Sequence, residues 1–136
     1  GSTYPNRSKP GGYDLYGELL AQFIRDVRKE FSAPKMPFVI GVMGVGGPGE
    51  QVAFRKAMAA PASMPEFKGN VKTIEARGFW RTQAESPTGT GYHYNHNAET
   101  YMEVGNLLGW AMAEMLGAAQ ISSPAEAAPM RVIASR

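Results

Sequence analysis

The chain contains no cysteine, and only two of its 136 residues are histidines. The lack of cysteine excludes disulfide bonds and thiolate metal ligands, and it leaves the redox compartment open. An excess of charge of one sign is also absent, because 14 basic residues stand against 12 acidic ones and the formal net charge is +2. Since lysine and arginine are scattered along the chain, we expect no nucleic-acid partner.

Long apolar runs are absent as well, and no run approaches the roughly 20 residues needed to cross a bilayer, so we expect no membrane partner. The composition, 43% apolar and 19% charged, is that of a globular protein, and the length suits one domain. Residues 1–12 are predicted to be an N-terminal loop, whose first two residues resemble a cloning remnant. Residues 118–136, rich in alanine, serine and proline, are predicted to be a linker or tail. Within them, residues 130–134 are a candidate edge strand.

Hydrophobic periodicity in the remaining segment, residues 13–117, predicts alternating helices and strands. The run FVIGVM is too short for a helix and rich in β-branched residues, as in a buried parallel strand. The predicted order is a helix over 13–31, a strand over 38–43, a helix over 50–59, a strand over 70–75, an irregular polar stretch over 76–97 and a helix from 97 or 98 to 116. The apolar face of the first helix comprises Leu15, Leu19, Leu20, Phe23, Ile24 and Val27. The buried stripe of the last helix comprises Tyr101, Val104, Leu108, Ala111, Met112 and Met115.

This alternation predicts the α/β class, with helices covering both faces of a parallel sheet. Two strands are too few for such a sheet, and a strand buried on both faces needs neighbours on both edges. Either further strands precede this part of the chain, or the chain associates with a partner. Exposed sheet edges pair readily with other chains, so self-association through them is expected.

A glycine-rich turn follows the first predicted strand. Gly44, Gly46 and Gly49 match the spacing G-x-G-x-x-G of dinucleotide-binding loops. Glu75, however, lies far beyond the usual distance of roughly 20 residues, and Pro48 removes a backbone N–H that would bind phosphate. A tight turn between strand and helix is therefore the favoured interpretation, and nucleotide binding ranks third among the functions considered.

Both histidines fall in the stretch TGYHYNHNAETY, directly before the last helix. His93 and His96 have no obvious third partner, and catalytic zinc needs three protein ligands, so no metal is expected. Asn97 is predicted to cap the helix that follows. His93 lies where the sheet's carboxyl edge is expected, which suits a general base, although a hydrogen-bonded structural imidazole is the alternative.

Several segments together resemble a known family. The stretches PFVIGVMGVGG, PEFKGNV and GYHYN-x-NAETY-x-x-x-G are similar, in order and spacing, to the C-terminal half of sialate O-acetylesterase-like carbohydrate esterases of the SGNH (GDSL-like) hydrolase superfamily. The resemblance covers about residues 3–117. It implies a three-layer α/β/α sandwich with a flavodoxin-like parallel sheet, of which the N-terminal strands are missing here. It also implies removal of acetyl groups from a carbohydrate such as sialic acid or xylan, without metal or organic cofactor, and a secreted or periplasmic location.

The family's catalytic histidine corresponds to His93. The acidic residue of its Asp-x-x-His motif would stand at Thr90, so Thr90 and the upstream Glu85 are the candidate orienting partners. Tyr92, Tyr94 and Asn95 are the predicted substrate contacts. The serine nucleophile and the oxyanion-hole residues of the family have no counterpart in this chain, which is therefore expected to be inactive by itself.

A second interpretation is a non-catalytic carbohydrate-binding or association module on the same fold. It depends on aromatic side chains that stack on sugar faces, although ordinary packing is the alternative explanation, and the favoured one for the tryptophan. The candidates are Phe79, Trp80, Tyr92, Tyr94 and Tyr101.

Overall fold

A parallel strand pair lies at the centre of the structure, a computed structural model that describes residues 12–46, 51–87, 89 and 91–117. Strand β1 pairs with strand β2 in register, from Phe38 opposite Val71 to Val42 opposite Glu75. The helices and strands are α1 (Asp14–Glu30), β1 (Phe38–Val42), α2 (Val52–Ala59), β2 (Val71–Glu75) and α3 (Ala98–Met115). Short 3₁₀ turns cover Ala60–Ser63, Pro65–Phe67, Ala76–Phe79, Gln83–Glu85 and Tyr94–His96.

Apolar clusters cover both faces of the strand pair, because successive residues of a strand point to opposite faces. On one face, Ile40 packs with Ile24 of α1. On the other face, Val39 packs with Ala111 and its neighbours on α3. The structure is thus a mixed α/β fold with a small parallel sheet, as the alternation of elements predicted.

The predicted elements are confirmed, and their ends differ by at most two residues where both ends are described. Helix α1 begins and ends one residue inside its predicted bounds, and β1 ends at Val42 instead of residue 43. The start of the second predicted helix, residue 50, lies outside the described part of the chain. So do residues 1–11 and 118–136, and with them the predicted edge strand at 130–134.

The predicted buried face of α1 is only partly correct. Leu15, Leu19 and Phe23 are 48%, 52% and 55% exposed. Helix α1 instead presents Gly17 and Ala21 to its neighbours, together with Ile24 and Arg28. Gly17 lies against α2: a Cβ there would be 3.1 Å from the carbonyl oxygen of Ala57. The close contact with α2 turns the helix so that part of its apolar stripe faces outward.

Of the predicted buried stripe of α3, only Ala111 is buried, and Val104, Leu108, Met112 and Met115 are half-buried. Tyr101, predicted to be buried, is 49% exposed. Its neighbour Thr100 is fully buried and donates a hydrogen bond from Oγ1 to the Phe79 carbonyl, 2.7 Å away. A hydroxyl is buried readily when it has such an acceptor, so a polar residue takes the inward position at the start of this helix.

The Arg28 side chain joins α1 to the start of both strands. Its Nε and Nη2 donate to the Met36 carbonyl at 2.9 and 2.7 Å, and Nη2 also donates to the carbonyl and side-chain oxygens of Asn70. The guanidinium lies 5.3 Å from the centroid of the Phe67 ring, a cation–π distance. Burial lowers the pKa of Arg28, and the negative charge of Glu66 opposes this shift.

Among the helices of the described residues, none is both long and apolar enough to cross a membrane.

We expect Arg28→Met to lower the free energy of unfolding by about 3 kcal/mol, because it removes the hydrogen bonds to Met36 and Asn70 and leaves the part-buried Met36 carbonyl without the guanidinium donor. The measurement is urea unfolding followed by circular dichroism. Arg25→Met is the matched control, since the Arg25–Glu66 ion pair is exposed and such pairs contribute little. Equal losses for the two variants would contradict this role of Arg28.

Candidate functional site

The histidine segment forms one left-handed helical turn, which we call the histidine turn (residues 93–96). All four residues have φ between 50° and 53°. The turn is closed by hydrogen bonds from the His96 amide to the His93 carbonyl and from the Asn97 amide to the Tyr94 carbonyl, both 3.0 Å. Left-handed backbone costs roughly 1–2 kcal/mol per residue for residues other than glycine, and among these asparagine and aspartate tolerate it best. A run of four such residues persists only where the surroundings hold it.

Hydrogen bonds of two tyrosine hydroxyls connect the histidine turn to neighbouring elements. The Gly44 amide, two residues beyond the end of β1, donates to Tyr94 Oη at 2.9 Å. Tyr101 Oη, on the first turn of α3, donates to the His93 carbonyl at 2.6 Å. These two bonds attach the turn to the carboxyl end of β1 and to α3. They place His93 at the edge of the sheet where ligands of open parallel sheets bind.

Two buried asparagine side chains, one in the histidine turn and one directly after it, also bond to the surrounding protein. Asn95 is 2% exposed, and its Nδ2 donates to the Arg81 carbonyl at 2.8 Å. Asn97 Oδ1 accepts the Thr100 amide at 3.1 Å, so the predicted cap of α3 is confirmed. Because its amide is buried and bonded within the protein, Asn95 is placed to fix the backbone of the turn. It was predicted as a substrate contact.

The His93 imidazole itself lies on the surface. His93 is exposed, and its ring packs against those of Tyr92 and His96, with centroid distances of 4.8 and 6.1 Å. Among the described residues, no hydrogen bond or ion pair reaches the imidazole. Tyr92 is 58% exposed, so its ring face is accessible beside the histidine. The turn therefore fixes the main chain of His93 and leaves the side chain open to a ligand.

The two candidate orienting partners are placed differently. Thr90 lies outside the described residues. Glu85 accepts hydrogen bonds from the Thr82 amide at 2.8 Å and from Thr82 Oγ1 at 2.7 Å. These bonds, the hydroxyl first, lower the pKa of Glu85, so their contribution to stability is lost as pH falls through that lowered pKa. In the described structure, the Glu85 carboxylate closes the capping box of a 3₁₀ turn, and its hydrogen bonds go to Thr82 and not to His93.

The predicted aromatic residues gather beside the turn. The Tyr94 ring lies 6.2 Å from that of Trp80 and 5.7 Å from that of Tyr101, measured between centroids. The backbone carbonyl of Phe79 accepts the Thr100 hydroxyl described above. Trp80 and Tyr94 are half-buried, so most of this group packs within the protein, and Tyr92 is the ring that faces solvent furthest.

In the glycine-rich turn after β1, Gly44 is required because the chain after β1 lies close to the chain after β2. A Cβ on Gly44 would lie 2.5 Å from the carbonyl carbon and oxygen of Ala76, which no side chain tolerates. Glu75, the acidic residue considered for a nucleotide, is paired with Arg77 at 3.1 Å. Residues 47–50, including the last glycine of the motif, lie outside the described residues. Packing therefore accounts for Gly44 without a nucleotide.

A basic cavity at the same sheet edge was not predicted from the sequence. It has a volume of about 250 Å³ and lies between α2 and the end of β2. Arg55, Lys56 and Arg77 line it, together with Glu75. The pair at 55 and 56 is distant in sequence from Arg77, and only the packing of α2 on the sheet brings them together. No local motif signals such a cavity.

An exposed imidazole on a fixed backbone has the chemistry of a general base. Within the described residues, no group of three or more histidine, aspartate and glutamate side chains is placed to hold a metal ion. None of the described serines hydrogen-bonds to His93; Ser86 Oγ, for example, donates to the Thr82 carbonyl at 2.8 Å. The described site therefore contains a possible base and no paired nucleophile.

No protein-family model, curated protein or solved structure matches this chain.

We expect Gly44→Ala to lower the free energy of unfolding by about 2–3 kcal/mol, because the added methyl group forces β1 and β2 apart at their carboxyl ends. Urea unfolding measures this change. The control is Gly105→Ala: Gly105 lies on the exposed side of α3 with no atom within 4 Å of its Cβ position. There alanine should stabilise by about 1 kcal/mol. A Gly44→Ala protein as stable as the parent would contradict the close approach.

Tyr101→Phe should loosen the histidine turn without unfolding the domain, because it removes the donor to the His93 carbonyl. A hydrogen bond worth about 1 kcal/mol predicts roughly fivefold faster amide hydrogen exchange at His96 and Asn97. Exchange is followed by nuclear magnetic resonance. Tyr92→Phe serves as the control, since the Tyr92 hydroxyl bonds to none of the described residues. If Tyr101→Phe and Tyr92→Phe exchange alike, Tyr101 does not hold the turn.

Proposed function

We propose that the chain is the C-terminal portion of a carbohydrate O-acetylesterase and that His93 is its catalytic base. The observation that carries the proposal is the position of the imidazole: exposed, with its backbone tied by Tyr94 to the carboxyl end of β1 and by Tyr101 to α3. The resemblance to sialate O-acetylesterase-like proteins supplies the reaction class. The strained turn supports it, because strain in a folded protein is concentrated at functional sites.

In the proposed reaction, a serine outside this chain attacks the acetyl carbonyl of the sugar ester. His93 takes the hydroxyl proton as the bond from Oγ to carbon forms. The tetrahedral intermediate then collapses, the bond from carbon to the sugar oxygen breaks, and His93 returns the proton to that oxygen. Water repeats the sequence on the acetyl-serine, which releases acetate and restores the serine.

We also propose that the complete protein is a larger three-layer sandwich, and the exposed side of α1 supports this architecture. Leu15, Leu19 and Phe23 form a stripe with i, i+4, i+8 spacing, and the Phe23 ring meets that of Phe38, the first residue of β1. One end of the stripe thus lies beside the start of β1. Of the described strands, only β2 pairs with β1. We infer that upstream strands pair with the open edge of β1 beneath this stripe, and that a chain without them self-associates there.

The test compares this chain with a longer one that includes the upstream sequence, using p-nitrophenyl acetate and an acetylated glycan. We expect no turnover by this chain. The longer chain should hydrolyse both substrates, and His93→Ala in it should lower kcat on the order of 10⁴-fold or more. His96→Ala in the longer chain is the control for general damage to the turn. Undiminished hydrolysis in the His93→Ala variant would remove His93 from the mechanism.

The exposed Tyr92 ring favours a second candidate, a carbohydrate-binding module without catalysis. An accessible aromatic face beside polar groups suits stacking on a sugar. Saturable binding of acetylated glycans by the longer chain, weakened by Tyr92→Ala and without release of acetate, would favour this function over the esterase.

A further inference from the structure

His96 has no part in the proposed reaction, yet the histidine turn sets it beside His93. A turn closed by hydrogen bonds between residues three apart has about three residues per turn, so side chains at i and i+3 project on the same side. His93 and His96 are such a pair, and their carbonyl and amide are bonded to each other. Both are exposed. The left-handed backbone therefore presents two imidazoles together to solvent.

The spacing of the two rings suits a shared metal ion. A metal about 2.0–2.1 Å from one nitrogen of each ring puts the ring centroids about 5.2 Å apart for a tetrahedral angle and about 6.4 Å apart for a linear one. The observed centroid distance is 6.1 Å. The Tyr92 ring packs against both imidazoles, at 4.8 and 5.0 Å, which already restricts their motion. Both side chains are exposed, so rotation about their χ angles is available to turn one nitrogen of each ring toward a shared ion.

We propose that His93 and His96 form a two-histidine binding site for a divalent late transition metal ion. Imidazole nitrogen is a good ligand for Cu²⁺, Ni²⁺ and Zn²⁺, and affinity rises to Cu²⁺ along the first-row series. Water or an outside ligand fills the other positions, because the described residues supply no third carboxylate or imidazole. Binding is therefore reversible and weaker than at a structural zinc site, which uses four protein ligands.

The metal site and the proposed catalysis exclude each other. A metal on His93 takes a nitrogen lone pair, the group that would otherwise accept the serine proton. If the proposed function holds, divalent copper or zinc inhibits the complete enzyme by occupying its base. The binding itself does not depend on that function, because the metal needs only the two imidazoles and the turn that carries them.

The experiment titrates the untagged chain with CuCl₂ and, separately, ZnCl₂ by isothermal calorimetry at pH 7.5. We expect one metal per chain, with Cu²⁺ bound more tightly than Zn²⁺. His93→Asn and His96→Asn should each weaken Cu²⁺ binding on the order of a hundredfold, because each leaves a single ligand in place of a linked pair. Asparagine is chosen because it tolerates left-handed backbone.

Nuclear magnetic resonance separates lost ligands from a lost turn. In each variant the Asn97 amide signal should stay near its parental position if the turn persists, and in the parent Cu²⁺ should broaden the ring signals of both histidines together. The proposal is overturned if only one imidazole broadens, or if either variant with an intact turn keeps the parental affinity. If the longer chain is an active esterase and this chain binds no metal, the metal site is refuted and the proposed function stands. If this chain binds metal and the longer chain has no esterase activity, only the proposed function is refuted.

Discussion

The hydrogen bond from the Gly44 amide to Tyr94 Oη connects the sheet to the candidate site. It is possible only because β1 and β2 approach closely at their carboxyl ends, where a side chain on Gly44 would collide with Ala76. The bond fixes one residue of the left-handed turn, and His93 precedes that residue directly. The position of the His93 main chain therefore depends in part on a glycine just beyond the end of β1, 49 residues earlier in the chain.

The histidine turn is a strained segment of backbone that hydrogen bonds to the rest of the protein hold in place. Its backbone is unfavourable by itself for residues other than glycine, and the compensating bonds come from the sheet, from α3 and from the Arg81 carbonyl. Such a turn has little freedom to move, and this rigidity suits a side chain that must meet a reacting atom at a set distance. The imidazole stays free while its main chain is fixed.

Local signals in the sequence were sufficient to predict the helices and strands. The apolar run of β1 and the Asn97 cap were readable because neighbouring residues determine them. The exposed side of α1 was not, since its orientation depends on how Gly17 meets α2. The left-handed turn was not predictable either, because no pattern in YHYNH marks positive φ beyond its asparagine. The hydrogen bonds that hold the turn come from residues outside this segment. The location of His93 at the sheet edge was predictable, and its geometry depended on tertiary contacts.

The span of the Gly44–Tyr94 bond also bears on when the histidine turn is ordered. Closing a loop over 50 residues costs chain entropy, and the turn gains its bond to the Gly44 amide only when that loop is closed. We therefore expect the turn to be fully ordered only in a chain whose strand pair holds Gly44 in place. Order at the histidine turn would then report the integrity of the carboxyl end of β1, on which the candidate site depends.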